Sequence, residues 1–253
     1  TGLTNGTAYV FKVAATNARA TGSYSTVSSS ITPVTTPGTP TGLTGSLGNA
    51  QVSLTWTAPA STGGSAITDY VIQYSSDSGS TWTTFADGTS TTASATVTGL
   101  SNGTAYVFRV ATVNAVGTGS YTSASSSVTP ATTPGTPTSV SGTAGNTQVS
   151  LSWTAPSANG SAITDYVIQY SSNSGVSWTT FADGTSTTAS ATVTGLTNGT
   201  AYVFRVAAVN AVGTGSYTSA SSSVTPFGVP GAPTAASASA GALQSTLTWT
   251  APA

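Results

Sequence analysis

The segment TGLTNGTAYVF at residues 1–11 occurs three times in this chain with almost no change. It returns as TGLSNGTAYVF at 98–108 and as TGLTNGTAYVF at 194–204. Its Asn-Gly pair is typical of a tight turn, and large apolar residues then occupy every second position, which predicts a β-strand. The three copies therefore predict one β-rich unit that is repeated along the chain.

The repeat extends well beyond this segment. Tryptophans recur at spacings of 97 and 96 residues, at Trp56, Trp153 and Trp249. The one-residue difference lies in a loop, since APASTGGSAITDY at 58–70 becomes APSANGSAITDY at 155–166. Residues 66–130 and 162–226 differ at only five positions. The copies are thus nearly identical, and their length change falls where loops tolerate it.

Within one repeat, apolar residues alternate with Ser and Thr at a period of two, which predicts half-buried strands. In the first full repeat the alternating runs lie at 50–57, 66–75, 80–86, 92–98, 104–114 and 122–129. The residues predicted on the core face are Val52, Leu54, Trp56, Tyr70, Ile72, Tyr74, Tyr106, Phe108 and Val110. Short β-branched and aromatic runs, separated by Gly, Asn, Asp and Pro, predict an all-β chain of tandem seven-stranded antiparallel β-sandwiches.

The charge content excludes several classes of partner. Only 4% of the residues are charged and the net charge is −1, whereas about 25% charged residues is typical of soluble domains. No basic patch is available for nucleic acid or for anionic lipid. No apolar run approaches the roughly 20 residues of a spanning helix, so we expect no membrane insertion in this segment. A surface of hydroxyls and amides with few charges favours association between chains.

The residue types needed for catalysis are scarce. Cys and His are absent, so Ser has no His partner for a triad. The acidic residues are five aspartates: Asp69, Asp77, Asp87, Asp165 and Asp183. We expect them to bind their own backbone at turns and strand ends. Calcium sites need clustered carboxylates, and the proline-rich joints carry none. We therefore predict no enzyme activity, no metal site and no cofactor.

A set of marker residues recurs at corresponding places in each repeat. In the first full repeat these markers are Pro40, Trp56, Tyr70, Tyr74, Leu100, Tyr106, Asn114, Gly117 and Gly119. With them the repeat resembles a fibronectin type III domain, of the Ser/Thr/Gly-rich kind found in bacterial surface and secreted proteins. The resemblance implies an immunoglobulin-like sandwich. It also implies a tyrosine corner at Tyr106, a buried ring whose hydroxyl bonds the backbone upstream.

The resemblance also implies the domain boundaries. Residues 1–33 correspond to the C-terminal part of a domain (strands F–G), and 228–253 to the N-terminal part of another (strands A–B). Residues 34–131 and 132–227 are two complete domains. We expect further repeats to flank this segment. The joints TPVTTPGTP, TPATTPGTP and TPFGVPGAP, at 32–40, 129–137 and 225–233, are rich in proline and therefore semi-rigid.

A few aromatic rings fall outside the predicted core. They are Trp82 and Phe85, their counterparts Trp178 and Phe181, and Tyr121 and Tyr217 at the start of the last strand. These rings could stack on a glycan, or they could cover a sheet edge. The NGT segments fit both N-glycosylation acceptors and tight turns, and we favour the turn.

The sequence favours a structural role over a chemical one. We predict a segment of an extracellular or cell-surface fibre, stalk or long adhesin that acts as a stiff spacer. Its partners would be other copies of itself or flanking repeats, and possibly cell-surface or environmental polysaccharide. One alternative is an accessory spacer or weak carbohydrate-binding region of a secreted polysaccharide-degrading enzyme. Another is a decoration of a phage virion or tail fibre.

Overall fold

The computed structural model describes residues 1–252, and these residues form strands, turns and extended segments without a helix. The chain divides into two compact units, which begin at Thr1 and at Thr133. The all-β prediction is confirmed. Among the described residues no helix is long and apolar enough to cross a membrane.

The first unit contains a complete two-sheet domain. Its strands are β1 (Thr41–Gly48), β2 (Gln51–Thr57), β3 (Ile67–Ser75), β4 (Thr83–Thr84), β5 (Ser94–Thr98), β6 (Val107–Asn114) and β7 (Gly117–Thr118). One sheet has the order β1-β2-β5 and the other the order β4-β3-β6-β7, and all pairs are antiparallel. Three strands and four strands give the seven that the sequence predicts.

The second unit repeats this arrangement. Its strands are β8 (Thr138–Gly145), β9 (Gln148–Thr154), β10 (Ile163–Ser171), β11 (Thr179–Phe181), β12 (Ser190–Thr194), β13 (Val203–Asn210) and β14 (Gly213–Thr214). The sheets are β12-β9-β8 and β11-β10-β13-β14. A separate hairpin follows, formed by β15 (Thr234–Gly241) and β16 (Gln244–Thr250).

The core of each domain lies between its two sheets. In the first domain, Val52, Leu54 and Trp56 of β2 pack against residues of β3 and β6. Trp56 meets Tyr70 edge-on, with ring centroids 5.1 Å apart. Of the predicted core-face residues, all but Tyr74 are buried, and Tyr74 packs against the cluster from its edge. The period-two pattern therefore identifies the core correctly.

The segment at the start of the chain pairs with itself. Tyr9 pairs with Ile31, and Thr16 pairs with Thr21, in antiparallel bridges. The Tyr9 hydroxyl accepts a hydrogen bond from the Thr4 N–H at 2.9 Å. This hydrogen bond lowers the pKa of the Tyr9 phenol. Residues 1–33 thus contain the same tyrosine corner, a Tyr hydroxyl bonded to the backbone five residues upstream, as the complete domains.

Two of the predicted strands differ from the expectation. The run at 80–86 forms only the two-residue strand β4. The run at 122–129 does not have the predicted period of two. Its hydrogen-bonded residues lie three positions apart, whereas their partners in and next to β6 lie two positions apart. The N–H groups of Gly119, Thr122, Ser125 and Val128 donate in turn to the carbonyls of Thr112, Val110, Phe108 and Tyr106. We refer to residues 119–128 and their equivalents 215–224 as the period-three segments.

Hydroxyl side chains complete the pairing of the period-three segment. The Phe108 N–H donates to the Ser125 hydroxyl at 3.0 Å, and the Val110 N–H donates to the Thr122 hydroxyl at 3.2 Å. Ser125 in turn donates to the carbonyl of Ser126 at 2.8 Å. A regular ladder would use backbone carbonyls for these N–H groups. The Ser/Thr content of this segment is therefore part of its backbone pairing.

Candidate contact site on the four-stranded sheet

The candidate site lies on the outer face of the four-stranded sheet. Ile72 and Val110 point into the core, and the adjacent residues of these strands, Gln73 and Arg109, pair with each other in the register. Because successive side chains of a strand point to opposite faces, Gln73 and Arg109 lie on the outside. The strands thus place one cation at the centre of this face.

Two of the predicted rings enclose this cation. The Arg109 guanidinium carbon lies 4.2 Å from the centroid of the Trp82 ring and 4.6 Å from that of Tyr121. Both distances are typical of a cation–π contact. The Arg109 Nε–H donates to Gln73 Oε1 at 2.8 Å, and Gln73 Nε2 donates to the Thr84 hydroxyl at 3.1 Å. We call this group the Arg109 stack.

The second domain repeats the geometry closely. Arg205 lies 4.3 Å from the Trp178 ring and 4.6 Å from the Tyr217 ring. Its Nε–H donates to Gln169 Oε1 at 2.8 Å, and Gln169 Nε2 donates to the Thr180 hydroxyl at 3.0 Å. We call this group the Arg205 stack. The arrangement is thus a property of the repeat rather than of one copy.

The outer edge of each guanidinium carries no protein partner. Within residues 1–252 the structure shows no ion pair or hydrogen bond at the Nη atoms of Arg109 or Arg205. These atoms are also not among the buried polar atoms that lack a partner, and both arginines are half-buried, so the Nη atoms keep some exposure to solvent. Each arginine can therefore donate hydrogen bonds from its Nη atoms to an external acceptor while the plane of its guanidinium stays fixed.

The structure separates the phenylalanines from these stacks. Phe85 and Phe181 are half-buried and pack against the cores of their domains. The Phe85 N–H also donates to the Ile72 carbonyl at 2.9 Å. The sequence pattern groups these rings with the tryptophans and does not indicate the role of the arginines. One signal was available, since Arg109 is the only cation of its repeat and follows a core phenylalanine directly. Glycan contact at the six aromatic residues stays a prediction.

The aspartates are held by nearby backbone and hydroxyl groups. Asp69 accepts the Ser90 N–H at 2.9 Å, and Asp165 accepts the Ser186 N–H at 3.0 Å. Burial raises the pKa of Asp87; a hydrogen bond from its own N–H opposes this rise, and the Asp69 charge adds to it. The sequence did not indicate that these two carboxyls come near each other. Residues 1–252 contain no cluster of three or more acidic residues that could hold a metal ion.

The NGT segment forms a turn, as the sequence predicts. Gly103 has a φ of 85°, which favours glycine. Asn102 Oδ1 accepts the Ala50 N–H at 2.8 Å, and Asn102 Nδ2 donates to Asn49 Oδ1 at 2.8 Å. The nitrogen that would carry an N-linked glycan is therefore used to join this turn to the β1–β2 turn.

The tyrosine corner is also present in both complete domains. The hydroxyl of the buried Tyr106 accepts the Ser101 N–H, and that of Tyr202 accepts the Thr197 N–H, each at 3.2 Å. These contacts tie the start of the strand to the loop before it. With the two-sheet topology, they are the features expected of one family of β-sandwich domains.

Comparison with known proteins identifies that family. The family described as "Fibronectin type III domain" matches residues 38–129 and 134–225, which is well over half of the chain. The chain therefore belongs to the fibronectin type III family. It is 31% identical to human Myomesin-2 over 227 residues, which covers 85% of this chain. The chain spans only 15% of the length of that relative.

One solved structure is also similar to this chain. The crystal structure of the chicken CNTN1 FN1–FN3 domains matches with 20% identity and a TM-score of 0.41. The match covers 84% of this chain and 75% of that one.

Proposed function

We propose that this chain is a structural repeat segment of an extracellular fibre, stalk or long adhesin, where it acts as a stiff spacer. The chain consists of nearly identical fibronectin type III domains in tandem. A repeat array with short linkers sets a distance, and near identity of the copies keeps that distance uniform. The spacer would have no catalytic activity of its own.

The observation that carries this proposal is the hydrogen bonding of the joints. In joint 32–40, the Gly6 N–H donates to the Pro33 carbonyl and the Thr35 N–H donates to the Gly63 carbonyl, both at 2.9 Å. Asn114 Nδ2 also donates to the Thr35 carbonyl at 2.8 Å. The joint thus has a bond to the repeat before it and bonds to the domain after it, which leaves little free linker.

The joint at 129–137 is bonded in the same way on each side. The Gly103 N–H donates to the Pro130 carbonyl at 2.9 Å, and the Ala131 N–H donates to the Gly48 carbonyl at 3.1 Å. Further along, the Gly135 N–H donates to the Ser157 carbonyl at 2.9 Å. Proline adds stiffness because it fixes φ. These bonds support a spacer whose joints are semi-rigid.

Other copies of this chain, or flanking repeats, are the proposed partners of the spacer. The surface carries few charges, so repulsion between neighbours is weak. The edge strands also present unpaired backbone groups. A second candidate function is an accessory spacer or weak polysaccharide-binding region of a secreted polysaccharide-degrading enzyme. The exposed donors of the Arg109 and Arg205 stacks favour this candidate.

Labelling of the source cells tests the proposed location and assembly. Antibodies against this chain should label intact cells, and the label should follow surface filaments in electron micrographs. Strands of about ten residues predict an axial period of roughly 35 Å in such filaments. Label that appears only after the cells are permeabilised would contradict the extracellular role. Label on isolated particles without filaments would contradict the fibre.

A further inference from the structure

We infer that each complete repeat carries a binding site for the carboxylate of an acidic polysaccharide, formed by the open edge of its arginine stack. The two sites are centred on Arg109 and Arg205. They go beyond the spacer role and do not depend on it, because they use the outer sheet face rather than the joints.

The stack leaves one set of donors for a ligand. The rings of Trp82 and Tyr121 both lie within cation–π distance of the Arg109 guanidinium, and the Nε–H donates to Gln73. The Nη edge remains open to solvent, and its parallel N–H groups match the two oxygens of a carboxylate. Because the guanidinium plane is already held in place, little side-chain entropy is lost when a ligand binds to it.

The surroundings of the guanidinium favour a sugar acid. Trp82 and Tyr121 are half-buried, so both rings keep some exposed surface close to the guanidinium. Rings of this kind offer apolar contact, and tyrosine adds a hydroxyl. A uronate combines a carboxylate with C–H and hydroxyl groups, and it can use all of these features. A polymer of uronates also offers many such carboxylates to each site.

The carboxylates of a second copy of this chain fit the site less well. Asp69 is bound by the Ser90 N–H, and Asp77 is bound by the hydroxyls of Ser75 and Thr81. In the second domain, Asp165 is bound by the Ser186 N–H. Within the described residues, the exposed Asp87 and Asp183 each accept a hydrogen bond only from their own N–H, so they are the carboxylates that a second copy could offer. Because three of the five aspartates are already bonded to other residues of their own domains, we assign the site to polysaccharide.

Nuclear magnetic resonance of the full chain tests the site directly. The chain has only three arginines, Arg19, Arg109 and Arg205, so their Nε–H signals can be resolved. Titration with soluble polygalacturonate should shift the signals of Arg109 and Arg205 and leave Arg19 unchanged. The methyl ester of the same polymer, which lacks the carboxylates, should cause no shift. Equal shifts with the ester, or no shift with either polymer, would overturn the inference.

Conservative variants separate recognition from bulk charge. Arg109→Lys with Arg205→Lys keeps both charges but removes the planar fork. The affinity for polygalacturonate should fall at least about tenfold, since hydrogen bonds to a charged group are lost. Arg19→Lys is the matched control and should bind like the parent chain. An equal loss in the control, or unchanged binding in the double variant, would overturn the assignment.

One outcome would indicate that the carboxylates come from a second copy of this chain. If the Arg109 and Arg205 signals shift when the chain alone is concentrated, and polygalacturonate adds nothing, the edge binds a second copy. That result would overturn the polysaccharide assignment. Retained dispersion of the core amide signals in every variant would confirm that the domains remain folded.

Discussion

At the residue scale, the two domains act as natural variants of each other. The core of the first contains Thr112, which is fully buried and whose hydroxyl has no partner within the described residues. The second has Ala208 at the same place, also fully buried. A buried polar group without a hydrogen bond costs about 1–3 kcal/mol. The first domain therefore carries an internal cost that the second avoids.

We expect Thr112→Val to stabilise the first domain. Valine keeps the shape of threonine but removes the unpaired hydroxyl, so the free energy of unfolding should rise by about 1–2 kcal/mol. Residue-resolved hydrogen exchange of core amides measures this for each domain separately. Ala208→Thr, which places the same unpaired hydroxyl in the second domain, should lower the stability of that domain by a similar amount. Loss of stability in Thr112→Val would show that the hydroxyl has an unrecognised partner.

A second pair of residues predicts a difference in acid stability. The hydroxyl of Ser75 and the hydroxyl and N–H of Thr81 bond Asp77, and they hold its pKa well below the ordinary value of 3.8. Because the folded pKa is depressed, the carboxylate stabilises the first domain above pH 3.8. That stability is lost as the pH falls further. Asn173 makes corresponding bonds in the second domain without titrating.

We expect Asp77→Asn to remove this acid dependence from the first domain. Unfolding should be followed between pH 5 and pH 2 in the parent chain and in the variant. The raised pKa values of Asp87 and Asp183 act in the opposite direction, but they are present in both proteins and cancel in the comparison. If the free energy of unfolding changes with pH in the same way in the two proteins, the Asp77 carboxylate is not stabilised in the folded state.

At the element scale, most of the sandwich could be predicted because its strands have one buried face. The pattern Val52, Leu54, Trp56 on β2 leaves no doubt about which side chains face the core. The period-three segment could not be predicted this way, since it is mostly Ser, Thr and Ala and lacks a regular apolar period. Its conformation depends on hydroxyl bonds to β6. Local alternation does not show such bonds.

Removal of one of these hydroxyls tests their role. In Ser125→Ala the Phe108 N–H loses its acceptor, so the first domain should lose about 1–3 kcal/mol of stability. Exchange of the Phe108 amide should also become faster. Ser123→Ala is the control, because Ser123 is exposed and lies between the paired positions. Equal effects of the two variants would contradict the pairing by side chains.

The candidate site shows a second limit of prediction at this scale. Trp82 and Tyr121 could be selected as rings outside the core, but their common partner could not. Arg109 lies between them because of the register of β3 and β6 and the position of the period-three segment. These are pairings between distant parts of the sequence. Composition identified the residue types, and tertiary structure brought them together.

At the scale of the whole molecule, the spacer role depends on the joints. Beside joint 32–40, the turn at Gly6 of the preceding repeat lies directly against the turn at Gly64 of the first complete domain. A Cβ added at Gly64 would lie 2.3 Å from the Gly6 nitrogen. The space at Gly64 therefore excludes a side chain, and the φ of +79° at Gly6 also favours glycine. The repeat is thus in contact with the one before it through backbone as well as through proline.

We expect Gly64→Ala to loosen this joint. The added methyl would push the Gly6 turn away, and exchange of the neighbouring Thr35 amide should accelerate at least about tenfold, a cost of about 1.4 kcal/mol. Gly88→Ala is the matched control, since Gly88 has a similar φ of +82° but no atom near its Cβ position. Unchanged exchange at Thr35 in the variant would show that the contact does not hold the joint.

The most direct test of the central claim measures the stiffness of the chain between its complete domains. The sequence has no cysteine, so spin labels can be placed uniquely at Ala86→Cys and Ala182→Cys, both exposed positions. Pulsed electron paramagnetic resonance should give one narrow distance distribution. A flexible Gly-Ser insertion in the 129–137 joint should broaden it. A broad distribution in the chain without that insertion would contradict the stiff spacer.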